Sequence, residues 1–225
     1  MQNILYFFDI NNIFFTFNGY QMSYLEFFGT ILNIWSVWLV TKNNILTWPI
    51  GNIAVVLFAV LFYQVRLYSD FVEQIYFLIT GFYGWWVWFY LGRNKSEHQH
   101  NKLLITHSSK RSNAVYVLVI LCGTLVMGYC MKHIHEYLPK IFPNPASFPY
   151  LDAFTTVMSF AATILMAHKK IECWYLWILV DIVGIGLYFA KEVVFVSLLY
   201  VIFLILATKG LLNWRKNFRL TCQNI

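Results

Sequence analysis

The sequence predicts an all-α integral membrane protein with seven transmembrane helices, in which two three-helix repeats flank one linker helix. Three observations lead to this prediction. The chain of 225 residues is 60% hydrophobic and only 12% charged, whereas an ordinary soluble domain is about 25% charged. Apolar runs of about 17–20 residues, long enough to cross a bilayer as helices, recur along the chain. The segment 24–93 also recurs at 150–219 without a gap.

The apolar runs give the predicted helices in order and leave no stretch for a soluble domain. The second begins at Trp48-Pro49, where a proline costs a helix little. Before the first run, Asp9, Asn11 and Asn12 interrupt the apolar pattern, so we expect an interfacial helix or strap there. The predicted spans are 22–40, 48–64, 71–91, 114–131, 151–167, 173–190 and 192–208.

The internal repeat has a constant offset of 126 residues. Trp48 matches Trp174 and Gly84 matches Gly210; tryptophan coincidences carry more weight than aliphatic ones in so apolar a chain. After three membrane crossings the chain is on the side opposite to the one where it started. A fourth helix must therefore bring it back before a second repeat can enter the membrane in the same orientation. This 3+1+3 order is the arrangement of SWEET-like carriers. The predicted segments are 1–21 (interfacial), 22–93 (first repeat), 94–149 (basic loop, linker helix and outer connector), 150–214 (second repeat) and 215–225 (basic tail).

The distribution of positive charge predicts the topology. The net charge of +6 could suggest nucleic-acid binding, but with the N-terminus outside, most cations fall on the inner side. This is the positive-inside rule, and it predicts an N-out, C-in protein without a nucleic-acid partner. The inner cations are Lys42, Arg93, Lys95, Lys102, Lys110, Arg111, Lys169, Lys170, Lys209, Arg215, Lys216 and Arg219.

The sharpest candidate site lies on the predicted sixth helix. Trp174, Trp177 and Asp181 are spaced by three and four residues and so share a face, which Tyr188 extends. A carboxylate at this depth costs about 2.5–3.5 kcal/mol to insert, so we expect it to face a partner or ligand. Indole faces attract cations. The stripe is therefore suited to a flat, positively charged ring, although Trp174 could equally be an interfacial anchor and Asp181 could pair with a buried donor.

Further candidate binding residues lie elsewhere in both repeats. Gln74 and its repeat mate Tyr200 could contact the polar edge of a ligand, and Asn33 could line the path. Trp48 is the counterpart of Trp174, and Trp85 shares a face with Gln74, although an aromatic belt also explains Trp85. No nucleophile–base pair, nucleotide loop or metal-ligand spacing is present, so we expect neither an enzyme nor a cofactor or metal.

Several motifs resemble those of the PnuC-type bacterial vitamin transporters, over about residues 23–214. They are Trp-Pro-x-Gly at 48–51, Leu-Tyr-Ser-Asp at 67–70, Gln74, Tyr-Gly-Trp-Trp at 83–86, Asp-Ala-Phe-Thr-Thr at 152–156, Trp174-x-x-Trp177-x-x-x-Asp181 and Leu199-Tyr200.

The resemblance implies a homotrimer in the bacterial inner membrane. It also implies facilitated diffusion of a vitamin, which is trapped inside by phosphorylation. Members that resemble the nicotinamide riboside type tend to carry Asn at the position of Asp181. The carboxylate therefore favours thiamine, with nicotinamide riboside as the alternative. A SWEET-type sugar carrier or a membrane subunit without a transport role stays open as a function of another class.

Overall fold

The computed structural model describes residues 8–17, 20–65, 68–91, 104–139, 147–190 and 194–223. Within these ranges the chain forms a short β-hairpin and seven helices. A π-helical turn, Val87–Leu91, continues α3. The elements are β1 (Ile13–Phe17), β2 (Tyr20–Ser23), α1 (Tyr24–Thr41), α2 (Thr47–Gln64), α3 (Tyr68–Trp86), α4 (Lys110–Tyr137), α5 (Pro149–Ala167), α6 (Glu172–Ala190) and α7 (Val194–Gln223).

Six of these seven helices are long and apolar enough to cross a membrane, where the sequence led us to expect seven. The exception is α3. Asp70, Glu73 and Gln74 fall in its first two turns, and Trp and Tyr crowd its other end. These residues lower its mean hydropathy below that of a spanning segment. The chain is thus an all-α membrane protein with seven helices and six candidate spans.

The N-terminal segment differs from the interfacial helix that we considered. The strands β1 and β2 pair in antiparallel fashion, with Phe15 opposite Met22 and Phe17 opposite Tyr20. The connecting sequence is Asn18-Gly19, a pair that strongly favours two-residue hairpin loops. Phe14 packs its ring against Tyr24, with ring centroids 4.9 Å apart. The segment is therefore a β-strap at the start of α1.

The chain divides into two compact units, Met1–Leu103 and Leu104–Ile225. In unit 1, α1 packs on α2 and α2 packs on α3. The α1–α2 contact is polar at one point, where the Ser36 hydroxyl donates to the Thr47 carbonyl and the Thr47 hydroxyl donates to the Ser36 carbonyl, each at 2.9 Å. The Ser23 hydroxyl caps α1 by accepting a bond from the Glu26 N–H at 3.2 Å.

In unit 2 the helices pack in chain order, α4 on α5, α5 on α6 and α6 on α7. The segment before α4 adds a backbone clamp on the α5–α6 loop. The Thr106 N–H donates to the Lys169 carbonyl and the Ile171 N–H donates to the Thr106 carbonyl, both at 3.1 Å. Glu172, in the first turn of α6, accepts from the Ser108 N–H at 2.9 Å. The start of the helix that carries Asp181 is therefore tied down.

The two units share internal geometry at repeat-matched positions. In unit 1 the Trp48 and Trp88 rings meet edge to face, with centroids 5.5 Å apart and planes at 87°. In unit 2 Trp174 and Trp214 meet in the same way, at 5.4 Å and 89°. The helix-connecting loops also match, because Asn43 and Lys169 both have a left-handed backbone, with φ of 55° and 51°. The helix pairs α2–α3 and α6–α7 therefore pack in the same register.

Candidate functional site

The predicted site residues divide between the two units, and each set is described within its own unit. Unit 2 holds Trp174, Trp177, Asp181 and Tyr188 on α6 and Tyr200 on α7. Unit 1 holds Asn33, Trp48, Gln74 and Trp85.

Asp181 is the one buried acidic residue among those that the structure describes, with only 3% of its surface exposed. Within that part of the chain its carboxylate has neither a hydrogen-bond donor nor a cationic partner. A buried polar group without a partner costs free energy, and an anion costs more. An interior carboxylate of this kind is well suited to a ligand that brings its own positive charge or donor.

Trp177 lies one helical turn before Asp181 and offers a second unpartnered group. Its ring packs against a buried apolar cluster formed by Ile120, Met158, Ala161 and Val180. The indole N–H is buried and has no acceptor among the described residues. Buried indole nitrogens usually find a hydrogen-bond partner, so this one is an exception. One stripe of α6 therefore carries an indole donor and a carboxylate acceptor that have no partner among the described residues.

A tyrosine further along the same stripe, Tyr188, meets Tyr200 of the neighbouring helix α7. Tyr188 and Tyr200 stack with ring centroids 5.3 Å apart and planes at 20°. Tyr200 approaches so closely because α6 has a glycine there: a Cβ at Gly184 would lie 2.6 Å from the Tyr200 ring. Gly184 is a site-shaping residue that the sequence analysis missed. The repeat could have pointed to Gly184, because its counterpart in unit 1 is the large residue Phe58 and the two repeats therefore differ in side-chain size at this position.

Trp174 has a packing role that explains its place on the stripe. Its side chain is 1% exposed and lies edge to face against the fully buried Trp214. Gly210 allows this contact, since a Cβ there would lie 2.4 Å from the Trp174 ring. Its indole nitrogen is nevertheless buried without a partner in the described chain, so a ligand contact through that nitrogen stays a prediction.

The predicted site residues of unit 1 also divide into a tryptophan that packs between helices and residues that are partly exposed. Trp48 is packed against Trp88, and a Cβ at Gly84 would lie 2.3 Å from its ring. Trp85, in contrast, is 38% exposed on the side of α3. Asn33 and Gln74 are both half-buried. Two of the predicted site residues of unit 1 are thus half-buried amides, and Trp48 stands in the place that Trp174 takes in unit 2.

A multi-helix membrane protein with an unpaired carboxylate among aromatic rings belongs, by its fold and its interior chemistry, to the class of carriers for small solutes. A family model described as nicotinamide mononucleotide transporter matches residues 23–216. The chain therefore belongs to this family, also called PnuC, and is a multi-pass membrane vitamin transporter and not an enzyme. This confirms the resemblance noted from the motifs.

Relatives of the chain are named for different vitamins. The chain is 27% identical to the nicotinamide riboside transporter PnuC of Escherichia coli (strain K12), over 89% of each chain. It is 27% identical to the nicotinamide riboside transporter PnuC of Neisseria mucosa, over 95% of this chain and 79% of that one. The riboflavin/roseoflavin transporter RibM of Streptomyces davaonensis is 25% identical, over 83% of this chain and 82% of that one.

A solved structure has the same fold. It is a crystal structure of the vitamin B3 transporter PnuC, with a TM-score of 0.66 over 87% of this chain and 82% of that chain, at 24% identity. The likeness supports the helical architecture. Two of the relatives named here carry the name of nicotinamide riboside, the alternative in the sequence analysis, and none of the three is named for thiamine.

Proposed function

We propose that the chain carries nicotinamide riboside across the bacterial inner membrane by facilitated diffusion. The observation that carries the proposal is the Trp177–Asp181 pair, an unsatisfied indole donor and an unsatisfied carboxylate one turn apart. Nicotinamide riboside is a flat pyridinium cation. Its ring can lie against an indole face, an attraction of about 2 kcal/mol or more when desolvated, while Asp181 balances its charge. Relatives named for this vitamin, 27% identical over most of the chain, support the choice.

The transport mode and assembly belong to the same proposal. The parallel 3+1+3 arrangement, N-out and C-in, is supported by the matched Trp–Gly–Trp contacts in the two units and by the inner cations. Carriers built from repeats reach alternating access when one repeat moves against the other. No ion or nucleotide is required; phosphorylation inside the cell would trap the vitamin. The resemblance further implies a trimer in the lipid bilayer.

Thiamine is the second candidate, and the charge of Asp181 favours it. Its aminopyrimidine presents an amino donor beside a protonatable ring nitrogen, which a carboxylate binds better than a neutral amide does. Its thiazolium is also a flat cation. The indole contact serves both vitamins equally, so the distinction between them depends on the group that faces Asp181.

Direct binding of both vitamins to the purified protein, measured side by side, tests the proposal. We expect nicotinamide riboside to bind more tightly. Tighter binding of thiamine would transfer the function to the second candidate, and binding of neither would contradict the proposal.

The variant Asp181→Asn refines the comparison because it keeps the shape and one acceptor but removes the charge. If the carboxylate binds an aminopyrimidine, this change should weaken thiamine about ten- to a hundredfold more than nicotinamide riboside, through the loss of a charge-assisted hydrogen bond of about 1.5–3 kcal/mol. An unchanged ratio of affinities would make Asp181 a general cation site.

A further inference from the structure

Asn52 is a buried amide in unit 1 without a hydrogen-bond partner. It lies on α2 and is 7% exposed. Its Nδ2 is fully buried and has no acceptor within the part of the chain that the structure describes. An amide nitrogen carries two donors, and buried donors of native proteins are nearly always satisfied. An unpaired one therefore needs an explanation.

Several buried hydroxyls of unit 1 do find partners, whereas the buried Trp48 Nε1 and Asn43 Oδ1, like the Asn52 Nδ2, have none among the described residues. Ser36 and Thr47 bond to each other's carbonyls, and the Thr80 hydroxyl donates to the Tyr76 carbonyl at 2.9 Å. These hydroxyls bond to backbone carbonyls of their own helix or of the neighbouring helix. The Asn52 Nδ2, like the Trp177 indole nitrogen in unit 2, is buried and has no acceptor among the described residues.

The neighbouring helix makes room for this amide. A Cβ at Gly81, on α3, would lie 1.9 Å from the Asn52 Oδ1, so the amide rests directly on the glycine backbone. Gly in a helix interior costs about 0.5–1 kcal/mol relative to Ala. Gly81 thus removes stability from α3 and in return admits the side chain of Asn52.

The repeat shows that the fold does not need this pair. In unit 2 the matching positions are Ile178 and Ala207, both apolar, although α6 and α7 pack in the same register as α2 and α3. A hydrocarbon pair is therefore sufficient at this contact. Unit 1 differs from this apolar pair at both positions, and the Asn52 Nδ2 is left without an acceptor among the described residues.

We infer that Asn52 is a ligand-binding residue that donates its amide hydrogens to a hydroxyl or carbonyl oxygen of the transported vitamin. The inference rests on the proposed function. Asn52 lies three residues before Val55, the repeat counterpart of Asp181. Asn52 and Val55 therefore share a face of α2, as residues three apart on a helix do. Asn52 thus gives unit 1 a buried neutral donor on the helix that corresponds to the helix carrying Asp181 in unit 2.

The double variant Asn52→Ile/Gly81→Ala tests the inference, because it installs the pair with which unit 2 already folds. The ligand-free double variant should melt higher than the wild type, by about 2–4 °C, since a buried unsatisfied donor is removed. Its affinity for nicotinamide riboside, or for thiamine if the wild type prefers it, should fall about five- to a hundredfold. Equal affinity in wild type and double variant would overturn the inference.

Thr47→Val on the same helix is the matched control. It removes a satisfied hydrogen bond, so it should lower the melting temperature and leave vitamin affinity unchanged. If it weakens binding as much as the double variant does, the effect of the Asn52 change is one of packing and the inference fails. A wild type that binds neither vitamin would instead refute the proposed function, so the two failures are distinguishable.

Discussion

The contact between Gly210 and Trp174 makes a quantitative prediction about stability. In Gly210→Ala the new Cβ would lie 2.4 Å from one ring atom of Trp174 and 2.5 Å from two others. The ring must withdraw by about 1 Å to reach ordinary contact, but it is itself 1% exposed and packs edge to face against the fully buried Trp214. Overpacking of this kind costs about 1–3 kcal/mol, and the better helix propensity of Ala returns about 0.5–1 kcal/mol.

We therefore expect Gly210→Ala to destabilise the protein by about 1–2 kcal/mol, or to lower its melting temperature by about 2–8 °C. Thermal unfolding of the purified protein in detergent, followed by intrinsic tryptophan fluorescence, measures this. Gly186→Ala is the matched control, since a Cβ at Gly186 meets nothing within 4 Å; it should be neutral or stabilising. If Gly210→Ala is as stable as Gly186→Ala, the contact among Trp174, Gly210 and Trp214 does not stabilise the packing of α6 against α7.

Three further predictions follow from other parts of the molecule. Asp181→Ala should weaken vitamin binding by about 2–5 kcal/mol, because a buried charged contact is lost; unchanged affinity in a folded variant, measured by equilibrium binding, would make the carboxylate structural. Ser23→Ala should lower the unfolding free energy by about 0.5–2 kcal/mol, because the N-cap of α1 is lost; a thermal melt identical to that of the wild type would contradict this. In proteoliposomes, vitamin equilibration should be insensitive to proton and sodium gradients, and accumulation driven by either gradient would show ion coupling.

The repeat and most helix positions could be predicted because they depend on local pattern. The matches Trp48–Trp174 and Gly84–Gly210 gave the repeat, and the structure shows the same ring contacts in both units. Apolar runs gave the helices within a few residues at most ends. The helix α7 is the main exception, since it continues to Gln223 rather than ending near 208. Hydropathy falls where charge begins, but Lys and Arg are good helix formers, so the helix continues.

The roles of individual tryptophans could not be predicted from spacing. Helical periodicity placed Trp174 and Trp177 on one face, but it could not show that Gly210 and Trp214, 36 and 40 residues further on, enclose the Trp174 ring. Gly184 escaped attention for the same reason, because its importance depends on Tyr200. Contacts between helices decide these roles, and they are not encoded in any single helix.

Uptake into proteoliposomes tests the central claim most directly, that this chain alone carries a flat cationic vitamin down its gradient. Vesicles containing the purified protein should fill with labelled nicotinamide riboside until the inside and outside concentrations are equal, with no energy source. Asp181→Ala vesicles should fill much more slowly at low vitamin concentration, because binding is weakened. Wild-type vesicles that take up the vitamin no faster than protein-free vesicles would contradict the account.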